Sequence, residues 1–322
     1  MSTVAPWELK IVIDMTGPLP PLAVVVVNYG SHALLEENLT WVASEVPEAT
    51  VVVVDNFSSR GELDAVAALC EASGWELVPL ASNEGFGLGV NAGVARAREL
   101  GSLAFLILNP DARIDGHSAR LLWHRVSREP ATMVGPTVLN EVGAVWSQGT
   151  YLYLDDGSMG SVTRHSERAA RPHCFWVSGA CFAISDALWT ELRGFDARYF
   201  LYWEDVDLSY RATMAGAAVV VDPEAHAVHA EGGTQTAASQ QAKSDVYYYY
   251  NTRNRLAFAA LNLSRPGQER WLRRSLPAGY RIVARGGRRQ FLRPWGPLKS
   301  AAAGTWAGRR MMSELTPSTE SL

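Results

Sequence analysis

Apolar runs that break off in polar residues are the first place to look for chemistry in this 322-residue chain. Ala23 to Val27 is followed by Asn28 and Tyr29, and Val51 to Val54 by Asp55 and Asn56. Leu77 to Leu80 leads into Ala81, Ser82 and Asn83, and Ala104 to Leu108 into Asn109, Pro110 and Asp111. Pro110 has no N–H for a ladder hydrogen bond, so it stops a strand and leaves Asp111 at the sheet edge. A carboxylate there can hold a divalent cation against a diphosphate, because hard cations take oxygen ligands and share them with phosphates. Asp55 is placed to accept from a pyrimidine N–H or a ribose hydroxyl. Taken singly, each aspartate is also an ordinary turn residue.

Three further stretches carry reactive or permissive residue types. Asn83 to Gly93 reads NEGFGLGVNAG. Glycines ahead of a helix let the backbone approach a ligand, and a helix N-terminus favours anions. Gly87, Gly89 and Ala92 also satisfy a dinucleotide pattern, but that fingerprint belongs to the first βαβ unit. Here it follows the third apolar run, which argues against a nicotinamide cofactor. Trp203 to Asp207 (WEDVD) precedes a helical pattern. Carboxylates in a first helical turn are stabilised by free N–H groups and the dipole. They are therefore expected to stay ionised at neutral pH, as a general base requires; helix capping, with Asp207 and Arg211 as an i,i+4 pair, explains the same pattern. His226 and His229 follow the apolar run ending at Val221. Either could face a cleft, since Pro223 breaks the alternation, and imidazole suits manganese better than magnesium.

These residues need elements to position them. The apolar runs start at regular intervals, and between them lie segments with helical spacing: Leu34, Leu35, Leu39, Val42; then Leu63, Val66, Ala67, Leu69, Cys70; then Val90, Val94, Ala97, Leu100. Continuous apolar strands alternating with amphipathic helices predict βαβ units and a buried parallel sheet, which binds ligands at the carboxyl ends of its strands. After Gly116 the rhythm breaks. Val134 to Leu139 and Val145 to Leu154 read as strands of a mixed sheet, Asp156 to Pro172 as a mobile loop, and Ser185 to Leu192 as a short helix. Asp205 to Ala215 is helical in pattern, Ala217 to Val221 is a strand, and Tyr247 to Leu261 is an amphipathic helix continuing into the C-terminal segment.

A hydrophobic fraction of 48% and a charged fraction of 19% supply a sizeable core and exclude wholesale disorder. No apolar run reaches the roughly 18–20 residues that span a bilayer, and the N-terminus does not read as a secretory signal. Cys70, Cys174 and Cys181 are too few and too scattered for a disulfide framework or a zinc pair, and read as buried free thiols. The formal net charge of −4 hides an asymmetry. Residues 265–310 hold twelve arginines and lysines and one acid, Glu269, for a local charge of +11 against −15 in the rest. Trp271, Phe291, Trp295 and Trp306 are interleaved with those cations. An anionic membrane or a nucleic acid would suit such a surface, but no nucleic-acid recognition motif accompanies it.

In order along the chain, VVVVNY (24–29), VVDN (53–56), NEGFG (83–87), NAG (91–93), LNPD (108–111), SGA (178–180), WED (203–205) and His229 make the sequence resemble family 2 glycosyltransferases with the GT-A fold, within the WbbL-like bacterial rhamnosyltransferase branch. The resemblance covers residues 22–260. It implies a Rossmann-like, mostly parallel α/β sheet flanked by helices, with a basic helical C-terminal extension. The corresponding divisions are an extension at 1–21, a catalytic domain at 22–235 (nucleotide-sugar half to about 115, acceptor half from about 116), and a membrane-associating segment at 236–322. It implies that Asn28, Tyr29, Asp55, Asn83, Gly85, Phe86, Gly87, Asn91 and Asn109 line a nucleoside-diphosphate-sugar pocket. Asp111 stands at the metal position of an Asp-x-Asp motif whose first acid is here Asn109, and His229 stands where some relatives place a further ligand for Mg2+ or Mn2+. Asp205 occupies the catalytic-base position with Glu204 beside it, and Ser178, Gly179 and Trp203 border the acceptor. The implied reaction is inverting transfer, with dTDP-rhamnose the favoured donor and a polyprenyl-diphosphate-linked GlcNAc the acceptor in cell-wall or polysaccharide synthesis. A soluble natural-product acceptor and a non-catalytic sugar-nucleotide-binding protein are the alternatives. The expected location is the cytoplasm, peripheral on the inner membrane face through residues 265–310, with no nucleic-acid partner.

Overall fold

A computed structural model describes residues 19–230, 243–287 and 295–315. The first half alternates as the apolar runs require. It comprises β1 (Leu22–Asn28), α1 (His32–Leu34) widening through a π-type turn into α2 (Thr40–Glu45), β2 (Thr50–Asp55), α3 (Arg60–Ser73), β3 (Glu76–Pro79), α4 (Phe86–Glu99) and β4 (Ala104–Leu108). Next come β5 (Ala112–Ile114), α5 (Gly116–Arg128), β6 (Thr132–Leu139), β7 (Val145–Ser147), β8 (Thr150–Tyr153), β9 (Met159–Ser161), β10 (His173–Trp176), β11 (Cys181–Ser185), α6 (Asp186–Leu192), α7 (Glu204–Met214) and β12 (Ala218–His229). The C-terminal part is helical: α8 (Asp245–Asn262), α9 (Arg265–Arg273), α10 (Ser275–Ala284) and α11 (Trp295–Leu315).

The central sheet has nine strands, ordered β3-β2-β1-β4-β11-β6-β12-β5 with β7 against β6. β1 to β4 run parallel, and β12 is parallel to β6, while β11 is inserted antiparallel between β4 and β6. β1 shows why the strands read as continuous apolar runs. Leu22, Val24 and Val26 pack into the layer under α2, α3 and α5, while Ala23, Val25 and Val27 pack under α4 and α6. Both faces are buried, so alternation is lost.

Several expectations change at the level of elements. Val145 to Leu154 is not one strand: the chain turns at Gly149 (φ +79°), and β8 joins a separate three-stranded sheet with β9 and β10. Asp156 to Pro172 is not a featureless loop; it contains β9 and two short 3-10 turns. It is anchored by Arg171, which pairs with Asp155 and Asp156. The strand after α7 runs on past Val221 to His229, with an irregularity between Asp222 and His226 that absorbs Pro223. α8 does not continue into the basic segment. It ends at Leu263 in extended conformation, and Pro266 starts a new helix. Trp271, read with the surface aromatics, is fully buried: it stacks on Phe258 in a third core that also holds Trp203, Leu256 and Met312. The expected N-terminal extension and Phe291 lie outside the described residues, apart from residues 19–21. The three cysteines are free and buried.

Candidate active site

The sheet topology gathers the polar strand ends at one edge. β1 and β2 finish in register at Asn28 and Asp55, and β4 finishes beside them. β11 runs the other way, so its entry segment, Ser178 to Ala180, arrives at the end of β4. Asn109 N donates to Ala180 O at 2.9 Å. β12 ends alongside β5, with His229 opposite Ala112 and Ala230 N donating to Asp111 O at 2.9 Å. From the other direction, Gly179 N donates to Asp205 Oδ2 at 3.0 Å. Asp205, Gly179, Ala180, Asn109 and Asp111 thus form one short chain of contacts and peptide links, and the two aspartates share the carboxyl edge of the sheet.

At the ends of β1 and β2, the amides expected at the ligand hold the frame together. Asn28 Nδ2 donates to Asp55 Oδ2 and Glu62 Oε1, both at 3.0 Å, and Phe57 N donates to Asp55 Oδ1. Asp55 is fully buried, and that burial raises its pKa despite those donors. Asn56 carries the next link, donating to Asn83 Oδ1 and Gly85 O and accepting from Glu84 N. Asn91 bridges α4 to Phe195, donating to its carbonyl and accepting its N–H at 2.9 Å each. Tyr29 stands exposed at the rim.

The glycine-rich stretch has two structural tasks. A Cβ on Gly89 would come within 2.8 Å of Val27, and one on Gly93 within 2.5 Å of Val25, so these two let α4 lie close on the sheet. Gly85 is left-handed (φ +86°), and a Cβ there would sit 2.1 Å from Phe200 O. That carbonyl accepts the Phe86 N–H at 3.0 Å, fastening the start of α4 to the segment leading into α7. As a result Gly87 lies against Glu204, and Phe86 against Gly179 beside Asp205.

Asp111 and His229 meet at 3.1 Å, Oδ1 to Nε2, and both side chains are buried. The contact lacks hydrogen-bond geometry: Asp111 Oδ1 and both His229 ring nitrogens have no hydrogen-bond partner. Buried, unpartnered oxygen and nitrogen atoms facing each other fit a shared cation. Among the described residues no third His, Cys, Asp or Glu joins them, so other ligands would have to come from substrate or water. His226 faces outward, its Nδ1 against Glu224 O. Asn109 contributes its backbone to the edge.

The acidic pair sits on a strained turn. Tyr202 and Trp203 both adopt positive φ, 67° and 77°, which costs of order 1–3 kcal/mol for each non-glycine residue unless the surroundings compensate. Asn254 of α8 supplies that compensation. Its Nδ2 donates to Leu201 O at 2.9 Å and to Tyr202 O at 2.8 Å, while Arg253 Nη1 holds its Oδ1 at 2.5 Å. Nothing in the local pattern of α8 pointed to this clamp; the one signal was a run of polar residues in an otherwise apolar helix. At the start of α7, Asp205 Oδ1 accepts from Val206 N at 2.8 Å and Oδ2 from Gly179 N. Asp207 pairs with Arg211 at 2.7 Å and also accepts from Tyr199 and Asn262, so it belongs to the frame.

The expectation that this helix start keeps its acids ionised fails for Glu204. Burial, then the adjacent Asp205 charge, pushes its carboxyl up to about 8, and Oε2 has no partner. Desolvation outweighs the helix dipole because no donor reaches that oxygen. Asp205 is also raised by its surroundings, but two N–H donors favour its charged form. The two carboxyls are therefore differentiated by their donors: Glu204 has an oxygen with none, while Asp205 has an N–H at each oxygen and keeps a partly exposed face. Ser178 Oγ accepts from Ala180 N, and Trp203 is buried with Nε1 unpartnered.

The chain belongs to the family described as "Glycosyltransferase like family 2", whose model matches residues 20–248. It is 30% identical over 241 residues to the N-acetylglucosaminyl-diphospho-decaprenol L-rhamnosyltransferase of Mycobacterium tuberculosis, covering 67% of this chain and 76% of the relative. It is 27% identical over 248 residues to the low-salt glycan biosynthesis hexosyltransferase Agl10 of Haloferax volcanii, covering 74% of this chain and 75% of the relative. Among solved structures it resembles the mannosyltransferase PcManGT from Pyrobaculum calidifontis, in complex with GDP-Man and Mn2+, with a TM-score of 0.56 at 17% identity over 97% of this chain and 88% of the other. The fold is GT-A and the chain is a glycosyltransferase.

Proposed function

We propose that the chain transfers L-rhamnose from dTDP-rhamnose to a hydroxyl of a lipid-diphosphate-linked N-acetylglucosamine, with inversion at the anomeric carbon. The observation that carries the reading is Asp205: a carboxylate fixed by two backbone N–H groups, with a neutral Glu204 beside it, on the sheet edge that also bears Asp111 and His229. The sugar and the acceptor are taken from the Mycobacterium relative's activity.

Asp205 takes the proton of the acceptor hydroxyl as that oxygen attacks the anomeric carbon. The new C–O bond forms as the bond to the diphosphate breaks, and the nucleoside diphosphate departs with the electron pair. Glu204, protonated, keeps a second negative charge away from the base. The Asn28–Asp55–Asn56–Asn83 network and the α4 start hold the donor edge rigid, so alignment of the two sugars carries part of the acceleration. Asp111 and His229 are the residues that would hold a divalent cation, which when bound offsets charge on the leaving diphosphate.

The acceptor reading extends to an anionic membrane surface. Trp295 and Trp306 are 83% and 67% exposed, and Leu276 and Tyr280 project from α10, among exposed arginines such as Arg273, Arg274 and Arg310. Aromatic side chains interleaved with cations suit a headgroup boundary. Among the described residues no helix is long and apolar enough to cross a membrane.

The test is a transfer assay with a panel of nucleoside-diphosphate sugars and a short-chain lipid-diphosphate GlcNAc, with product identified by mass spectrometry. Rhamnosylated product is expected from dTDP-rhamnose, and Asp205→Asn is expected to lower kcat by about 100-fold or more while dTDP affinity stays within about twofold. Absence of product with every donor overturns the reading. A variant within about tenfold of wild type removes Asp205 from the base role.

A further inference from the structure

Beside the acidic turn lies a cavity of about 240 Å3 that the reaction described above does not use. Its walls come from five places in the chain: Asp156 to Met159 at the small sheet, Arg168, Trp203, and one face each of α8 and α10. On α8 the lining residues are Asn251 and Arg255, and on α10 they are Ala278, Arg281 and Ile282, followed by Arg285 at its C-cap. Both sets follow the three- and four-residue spacing of a single helix face. Four guanidinium groups therefore border one hollow, against a single carboxylate, Asp156. That carboxylate is already paired with Arg171 at 2.8 Å and Arg274 at 3.4 Å. Among the described residues, none of Arg168, Arg255, Arg281 and Arg285 has a carboxylate within ion-pair distance.

Arg255 is the unusual member. It is 3% exposed, and it stacks over Trp271 at 4.6 Å. Two of its nitrogens are spent on backbone carbonyls, those of Trp271 and Asp156. Its Nε has no partner, and neither does Nε1 of Trp203, the buried tryptophan at 5% exposure on the same wall. Gly157 (φ +68°) lets the backbone come this close, since a Cβ there would meet Arg255 Nε at 2.9 Å. Burial, reinforced by Arg281 and Arg274, lowers the Arg255 guanidinium to about 10, which leaves it charged at neutral pH. A buried cation with an unused donor, in a hollow with excess positive charge, is a costly arrangement unless an anion completes it.

We propose that this cavity binds the diphosphate of the lipid-linked acceptor, with Arg255 and Trp203 as its inner donors and Arg281 and Arg285 at its mouth. Its position fits that ligand. Trp203 is two residues from Asp205, so their Cα atoms lie at most about 7 Å apart and the cavity borders the turn that carries the base. Guanidinium forks match phosphate oxygens, which favours arginine over lysine at such a site. This assignment rests on the acceptor class proposed above.

The test measures binding to the full chain in EDTA without donor, so that the Asp111–His229 side contributes no metal-held diphosphate. Tryptophan fluorescence is titrated with a short-chain lipid-diphosphate GlcNAc, with the matching neutral alkyl GlcNAc glycoside, and with inorganic pyrophosphate. The variant is Arg281→Gln/Arg285→Gln; both positions are exposed, so the fold is spared. The diphosphate-linked sugar is expected to bind, to lose about tenfold or more in the double variant, and to exceed both the neutral glycoside and pyrophosphate by a similar factor. Equal binding by wild type and variant overturns the site, and pyrophosphate binding as tightly as the lipid-linked sugar overturns its assignment to the acceptor. Transfer assays separate the two levels. Rhamnosyl transfer that is indifferent to the two arginines refutes this inference alone. Arginine-dependent binding without transfer from any donor refutes the proposed reaction alone.

Discussion

Replacing Glu204 by Gln tests the acidic pair most directly, because it exchanges a titrating group for a neutral one of the same shape. The Glu204 carboxyl moves from an ordinary 4.5 to about 8 in the folded chain. A group whose folded pKa is raised contributes stability that is fully present below the unfolded value and is lost as pH rises through the folded value. Wild-type stability attributable to Glu204 is therefore complete near pH 4.5 and gone above about pH 8. At about 1.4 kcal/mol per unit the full effect is at most roughly 5 kcal/mol, and relaxation of the pair reduces it. Glutamine never pays this ionisation penalty. Thermal unfolding of both proteins from pH 5 to pH 9 reads the difference, and taking the difference cancels the other titrating groups. The variant is expected to match wild type at pH 5 and to exceed it at pH 9 by about 5 °C or more, at roughly 2–4 °C per kcal/mol for a chain of this size. A Tm difference that does not change with pH would refute the reasoning, since Glu204 would then not carry the raised pKa. Turnover supplies a second reading: at pH 7 Glu204→Gln should exceed Asp205→Asn by about tenfold or more, because Asp205 is the carboxyl held by the Gly179 and Val206 N–H groups and assigned the proton transfer.

Three further outcomes follow from the geometry. Asn254→Leu removes both hydrogen bonds to the Leu201 and Tyr202 carbonyls, so the strained turn relaxes; kcat should fall about tenfold or more with donor KM little changed, and equal losses in both would mark general unfolding instead. Gly85→Ala puts a methyl 2.1 Å from Phe200 O at a positive φ, which should cost roughly 2–4 kcal/mol, measured by denaturant midpoint; an unchanged midpoint contradicts the clamp between α4 and the acidic turn. Mn2+ added with dTDP should raise Tm in wild type and not in Asp111→Ala or His229→Ala, since a ligand stabilises only a chain that binds it; an undiminished shift in both variants would place the cation elsewhere.

The parallel half of the fold was legible because β1, β2 and β4 are buried on both faces, and such strands announce themselves as unbroken apolar runs. Boundaries in the second half were less legible. Gly149, the insertion of β11 and the extension of β12 are settled by pairing partners far away in the chain. The candidate acids were visible as residue types at strand and helix ends, and the family resemblance assigned them roles. What local sequence misjudged was charge. Carboxylates in a first helical turn look alike in a string of letters, yet burial raises both: Glu204 goes to about 8, where one of its oxygens meets no donor, while the Gly179 and Val206 N–H groups oppose the shift at both oxygens of Asp205. Likewise Trp271 sits in a basic, aromatic segment that reads as surface, and folding turns it inward against Phe258 and the buried Arg255.

By itself, then, the sequence determined the alternation of buried strands and helices, the polar ends of those strands, and the order of motifs that defines the family. These are properties of hydrophobic periodicity and residue type, which act locally. Tertiary structure alone decided how burial and donors separate Glu204 from Asp205, that Asn254 holds the strained turn, and that four arginines from three separate segments border one hollow. Each of those depends on burial and on donors supplied from residues tens of positions away, and no local pattern encodes a distance across the fold.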